Sequence, residues 1–291
     1  MLEKLTGLLK LMRPLEWIKT FGNMVFGALL ATSFMPFDWA LFLLAFIAAG
    51  PLLWGGLYTI NDITDIEKDR LHSVKKNRPL PSGKISKNFA KVFAAALLLS
   101  AFATGIFLNN FLFILCLLAM AVNQFLYTLP PFELKKKPIL DLISGSAVNP
   151  FFRFFAGWVL FAGSLNAPLL VVYFLVAVNF GGFFLYRINS KKIEEEMDYD
   201  SSAVMFSEKT LRIISYFFIA TSIIAFVAAI ITRIFPQSYW LLVIGSLLLL
   251  PLYWKSISKP KEMDVKFTYK LIYAHYLLLI AGVIVLAYVR I

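Results

Sequence analysis

Nine apolar runs of about twenty residues, separated by loops that carry most of the charge, leave this chain few folds to adopt. A helix of that length spans the roughly 30 Å hydrocarbon layer of a bilayer. Lipid offers no hydrogen bonds, so each crossing segment must satisfy its own backbone as a helix. The runs fall at roughly 15–34, 39–62, 89–108, 111–129, 139–161, 167–189, 211–233, 238–254 and 269–289. A soluble domain carries about 25% charged residues; this one carries 15%, against 60% hydrophobic. The prediction is an all-α membrane protein with nine transmembrane helices in a single bundle around a central cavity, one domain over residues 1–291.

The loops test that count. With the N-terminus and every second loop on one side, that side receives all of the 28 basic residues except Arg153, Arg233 and Arg290. Lys and Arg concentrate in cytoplasmic loops, so the N-terminus is predicted to be cytoplasmic and the protein a multi-pass component of the cytoplasmic membrane. The formal charge of +11 does not indicate nucleic acid, because the cations alternate with apolar runs and form no single face. Residues 1–13 show no cleavable leader, and the one cysteine, Cys116, lies in an apolar run as a small buried side chain. A disulfide framework or thiolate metal centre is excluded by that count.

The densest chemistry follows the second run, in the stretch NDITDIEKDRLHSVKKNRPLPSG from Asn61 to Gly83. Asn61, Asp65 and Asp69 recur at i, i+4 and i+8, which puts them on one helix face over about 12 Å. Hard oxygens in such a row suit Mg²⁺, which takes a few carboxylates together with substrate phosphates and water. Asp62 sits beside them, where an unsatisfied carboxylate at the end of an apolar run is costly. His72, Lys75 and Arg78 follow, cations suited to the far side of the same phosphates, and Pro79 restricts the backbone that aims Arg78. Acid face and basic loop together read as a diphosphate site.

These residues also carry a family resemblance. Asn61-Asp62-x-x-Asp65-x-x-x-Asp69 resembles the first aspartate-rich motif of the UbiA superfamily of intramembrane prenyltransferases. Arg78-Pro79-Leu80-Pro81-Ser82-Gly83 resembles the turn that follows it there, and Arg13-Pro14-x-x-Trp17-x-Lys19 and the stretch from Tyr127 to Asp141 are similar to other segments of the family. The resemblance implies a second acidic motif, Asp-x-x-x-Asp, after the sixth run, holding a second Mg²⁺. This chain departs from it: the nearest equivalents are Glu194-x-x-x-Asp198 and Glu196-x-x-x-Asp200. Glu194 and Asp198 are the expected ligands of the second ion, with Lys191 and Lys192 beside them as substrate contacts.

Polar residues within the other runs need partners. Arg153 in the fifth run is too deep to snorkel and is expected to face a polar cavity with an acceptor or phosphate. Asn179, beside Gly181 and Gly182, is a second cavity candidate, and Asn123 and Gln124 require hydrogen bonds inside the bundle. His275, alone among apolar residues, reads as a hydrogen-bonded packing residue.

The resemblance implies a transferase with Mg²⁺ as cofactor. It takes an isoprenyl diphosphate donor and an aromatic or other lipid-soluble acceptor, and releases pyrophosphate within membrane lipid. Lys191-Lys192-x-x-Glu195 and the run from Asp69 through His72 and Lys75 to Arg78 also resemble a branch that moves phosphoribose from phosphoribosyl diphosphate to polyprenyl phosphate. A non-enzymatic transporter or lipid-binding protein is the reading from a different class.

Overall fold

The computed structural model describes residues 2–71, 75–196, 200–258 and 265–288, all in helices and the turns between them. Among the described residues, each of the nine apolar runs is mostly helical. Among the described residues, four helices are long and apolar enough to cross a membrane: Trp39–Thr64, Lys87–Phe107, Phe111–Thr128 and Glu208–Ile231. Leu169–Phe184, Gln237–Leu248 and Ala274–Tyr288 are shorter apolar helices. Contacts divide the chain into two compact units, one of Met1–Ala28, Asp38–Leu134 and Phe152–Leu165, the other of Leu29–Phe37, Lys135–Phe151 and Asn166–Ile291.

In the first unit the Trp39–Thr64 rod is built in three parts. Asp38 caps its start, accepting from the amides of Ala40 at 2.8 Å and Leu41 at 3.0 Å. The middle, Ala48–Trp54, widens into π-helical turns around Pro51, whose missing N–H cannot continue an α-helical ladder. The last part, Gly55–Thr64, delivers Asn61 and Asp62. Two glycines bring neighbouring rods into backbone contact. A Cβ on Gly157 would overlap the Met24 carbonyl oxygen, and one on Gly27 the Phe154 carbonyl oxygen, so helices Pro14–Ala31 and Asn149–Ala162 touch main chain to main chain. That contact fixes the helix carrying Arg153.

A small apolar cluster anchors the loop after the acidic motif. Leu80 and Ile85 are buried with Leu11, Ile66 and Ala90, against Leu8 and Ile63. The chain reverses between them with Gly83 at φ +76°, a region that L side chains resist. The Ile85 amide closes the turn on the Pro79 carbonyl at 3.1 Å.

In the second unit helices Leu169–Glu196 and Glu208–Ile231 pack together, and Ser215 Oγ donates to the Gly181 carbonyl at 2.7 Å. His275 is held as a packing residue, by Ser246 Oγ at 3.1 Å and Tyr253 Oη at 2.8 Å. In the first unit, Cys116 is buried and free.

Candidate active site

The acidic motif does not lie on one unbroken helix. The helix ends at Thr64, Asp65 takes φ −93° and ψ 3°, and a short helix, Ile66–Leu71, follows. The α-helical hydrogen bonds nevertheless cross the break, from the Asp65 amide to the Asn61 carbonyl at 3.1 Å and from the Asp69 amide to the Asp65 carbonyl at 2.8 Å. The phase that aligns Asn61, Asp65 and Asp69 therefore survives the turn.

Their side chains divide into two groups. Asn61 Nδ2 donates to Asp65 Oδ2 at 3.2 Å, while Asn61 Oδ1 accepts from Thr128 Oγ1 at 3.3 Å, itself bonded by Gln124 Nε2 at 3.0 Å. Gln124 thus has the intramembrane partner its burial demands. Asp62 and Asp69, 3% and 2% exposed, instead face cations. Arg13 pairs with Asp62. Arg78 Nη1 bridges both acids, 3.4 Å from Asp62 Oδ1 and 2.9 Å from Asp69 Oδ2, and Lys75 Nζ lies 3.6 Å from Asp69 Oδ1. Burial works against the Arg13 charge; Asp62 beside it, with Tyr58, outweighs that and holds the guanidinium above its ordinary value. Three cations thus surround the two buried carboxylates, with the Asp65 carboxylate one turn away.

Arg153 is buried, its guanidinium 4.0 Å from the centre of the Trp54 ring, a cation–π contact strengthened by desolvation. Tyr58 lies beside it and also stacks under Arg13 at 5.0 Å. Arg153 Nε has no hydrogen-bond acceptor among the described residues. A buried guanidinium donor in that state fits an anionic ligand.

In the second unit Arg187 clamps two acids, Nη1 donating to Glu194 Oε1 and Nη2 to Asp141 Oδ2, each at 2.6 Å. Ser201 donates to the other oxygen of Glu194. Asp141 Oδ1 accepts from Ser202 Oγ at 2.6 Å and from the Leu142 amide at 2.9 Å. Arg187, Glu194, Asp141, Ser201 and Ser202 are all buried. The sequence marks neither Arg187 nor Asp141 as a site residue, although an acid opening an apolar run signals a buried partner. Arg13 stands in the sequence only as the start of the family-like Arg13-Pro14-x-x-Trp17-x-Lys19 stretch, with no site role.

The remaining candidates are placed as follows. Asn179 Nδ2 donates to the Leu175 carbonyl of its own helix at 2.8 Å, so its amide is committed locally. Lys191 Nζ donates to the Phe206 carbonyl at 3.2 Å and lies 3.9 Å from Glu195. His72, Asp198 and the Lys192 side chain lie outside the described residues.

Donor chemistry decides where Mg²⁺ fits. Among the described residues no three His, Cys, Asp or Glu side chains converge on one point. Mg²⁺ does not require that, since it is commonly held by one or two carboxylates plus substrate phosphates. The adjacent Asn61 and Asp65 oxygens meet this requirement. Glu194 is held differently: Oε1 accepts from Arg187, a cation it shares with Asp141, and the other oxygen accepts from Ser201.

The model of the UbiA prenyltransferase family matches residues 23–277. The chain belongs to that family. It is 33% identical over 172 residues to the digeranylgeranylglyceryl phosphate synthase of Methanocaldococcus jannaschii, covering 59% of this chain and 57% of that protein. It is 30% identical over 190 residues to the decaprenyl-phosphate phosphoribosyltransferase of Mycolicibacterium smegmatis, covering 62% of this chain and 54% of that protein. The chain thus spans little more than half the length of either relative. A UbiA homologue of Archaeoglobus fulgidus bound to GPP and Mg²⁺ has the same fold, with a TM-score of 0.76 at 20% identity over 97% of this chain and 98% of that one.

Proposed function

We propose that this member of the UbiA family is a Mg²⁺-dependent intramembrane prenyltransferase. It transfers an isoprenyl group from an isoprenyl diphosphate to a lipid-soluble acceptor with release of pyrophosphate. The observation that carries this reading is the cluster of Arg13, Arg78 and Lys75 around buried Asp62 and Asp69, one helical turn from the Asn61–Asp65 oxygen pair. The GPP and Mg²⁺ held by the A. fulgidus homologue support donor and cofactor. The synthase name of the M. jannaschii relative supports an isoprenoid glyceryl phosphate product ahead of an aromatic one.

On this reading Asn61 and Asp65 hold the ion, and Arg13, Arg78 and Lys75 take the diphosphate oxygens. Asp62 and Asp69 aim those cations and offset their mutual repulsion. Bound Mg²⁺ supplies neutralisation of the leaving diphosphate. As the allylic C–O bond breaks, charge grows on the diphosphate oxygens, and fixed guanidinium groups stabilise it without reorganisation. The apolar helices exclude water that would quench the allylic cation. The nine crossings, the cytoplasmic N-terminus and a single catalytic domain belong to the same proposal, supported by the charge bias of the loops.

A second reading, phosphoribosyl transfer to polyprenyl phosphate, is favoured by the M. smegmatis relative and by the number of cations near the acids. The two separate in one assay. Purified full-length protein with Mg²⁺ receives either geranylgeranyl diphosphate and geranylgeranylglyceryl phosphate, or phosphoribosyl diphosphate and decaprenyl phosphate. Pyrophosphate release from the first pair alone is expected, and lost in Asp65→Ala protein that still folds. Release from the second pair alone establishes the rival; release from neither, or full turnover without the Asp65 carboxylate, refutes both.

A further inference from the structure

A cleft of about 710 Å³ opens in the second unit between helices Glu208–Ile231 and Leu250–Ser258. None of its lining residues belongs to the Asn61–Asp69 cluster. We propose that it binds an anionic phospholipid of the surrounding bilayer, with the headgroup phosphate at Lys209 and Arg212 and an acyl chain along Ile213, Tyr216 and Trp254.

The first argument is the chemical gradient along one wall. Glu208 and Lys209, then Arg212 and Ile213, then Tyr216 occupy successive turns of one helix face. From Lys209 to Tyr216 the axial distance is about 10 Å. Over that length the lining passes from ionic to aliphatic to aromatic, which matches an amphiphile lying along the helix and does not match a soluble anion. The other wall adds Trp254, with Ser258 one turn further along.

The second argument is charge. Arg212 pairs with Glu208 in the i,i+4 relationship, and this accounts for the single carboxylate in the cleft. Lys209 makes no ion pair among the described residues, and Arg212 Nε has no hydrogen-bond acceptor among them. One positive charge is therefore uncompensated at the ionic end, so the headgroup that fits is an anion. Basic pockets between membrane helices bind anionic headgroups in this way.

The third argument is exposure. Trp254 and Ile213 are 71% and 58% exposed, and Tyr216 is also exposed. Tryptophan and tyrosine sit where headgroups meet chains. An acyl chain seated here covers all three, while the phosphate meets the cations one to two turns away.

Full-length protein in detergent, stripped of lipid, tests this by thermal unfolding and native mass spectrometry with added phosphatidylglycerol or phosphatidylcholine. Phosphatidylglycerol is expected to raise the melting temperature and to be retained at one molecule per chain, because a ligand that binds only the folded state stabilises it. Phosphatidylcholine should do neither. Lys209→Glu should weaken apparent phosphatidylglycerol affinity about tenfold; Lys209→Gln provides the same readout if the reversal prevents folding. Trp254→Ala should shorten retention. Lys84→Glu, a charge change at an exposed lysine paired with Glu3, should leave the effect intact. Unchanged retention in both Lys209 variants overturns the proposal. So does an equal loss in Lys84→Glu, which would mean diffuse charge attraction. A full thermal shift from inorganic phosphate alone also overturns it, because the acyl part of the site would then have no role.

Discussion

Arg13 and Asp62, separated by 49 residues in the chain, form an ion pair within the candidate active site. Arg13 reaches it from a left-handed turn, φ 50°, between helices Leu2–Met12 and Pro14–Ala31. Asp62 is nearly inaccessible, whereas the Arg13 side chain keeps 28% of its surface. The pair therefore joins a buried acid to a cation that a ligand can still touch.

Removing that cation should cost both stability and activity. Arg13→Ala leaves Asp62 buried with only Arg78, at 3.4 Å. We expect a loss of about 2 kcal/mol, the scale of a charge-assisted hydrogen bond, seen as a lower melting temperature in detergent. Asp62→Asn in the same chain should recover part of the stability but not the turnover, since the diphosphate contact stays missing.

Arg78→Lys should retain the fold and lose at least about tenfold in turnover. One guanidinium nitrogen reaches both Asp62 and Asp69 from a planar group with donors to spare for phosphate. An ammonium is a point charge and does not reproduce that fork. Steady-state kinetics with the isoprenyl diphosphate donor measure it.

Chelation of Mg²⁺ should stop pyrophosphate release while leaving the melting temperature nearly unchanged. The buried acids Asp62 and Asp69 are neutralised by Arg13, Arg78 and Lys75, so the fold does not depend on the ion. A large drop in melting temperature with chelator would contradict this arrangement.

Glu194→Gln should destabilise the second unit without changing the number of bound ions. The substitution replaces a buried charge-assisted contact to Arg187 at 2.6 Å with a neutral one and leaves Arg187 paired with Asp141 alone. Losing a charge-assisted hydrogen bond costs about 2 kcal/mol. Mn²⁺ titration followed by electron paramagnetic resonance should count the same stoichiometry in both proteins; loss of one ion would restore Glu194 as a metal ligand.

Gly157→Ala should lower stability by about 3 kcal/mol or prevent insertion altogether. The added methyl meets the Met24 backbone, which cannot rotate aside as a side chain would. Melting in detergent and yield from membranes report it.

Much of this architecture was readable from the chain because membrane helices announce themselves: apolar length, loop charge and proline or glycine at their ends are local properties. The alignment of Asn61, Asp65 and Asp69 was readable for the same reason, since helical phase depends only on spacing. The break at Asp65 was not; Ile66, just after it, is buried in a cluster with Leu11, Leu80 and Ile85, residues distant in the chain. The family's second acidic motif predicts a ligand at Glu194; the structure instead gives that carboxylate an arginine seven residues earlier.

What the sequence by itself determined is the class of the protein, its helical segments and the spacing of its first acidic motif, all set by interactions within a few turns of chain. Only the tertiary structure decided which acids pair with Arg13, Arg78, Lys75 or Arg187. A buried charge takes the counter-charge that folding brings nearest, and in the first unit Asp62's partner comes from another helix pair 49 residues away.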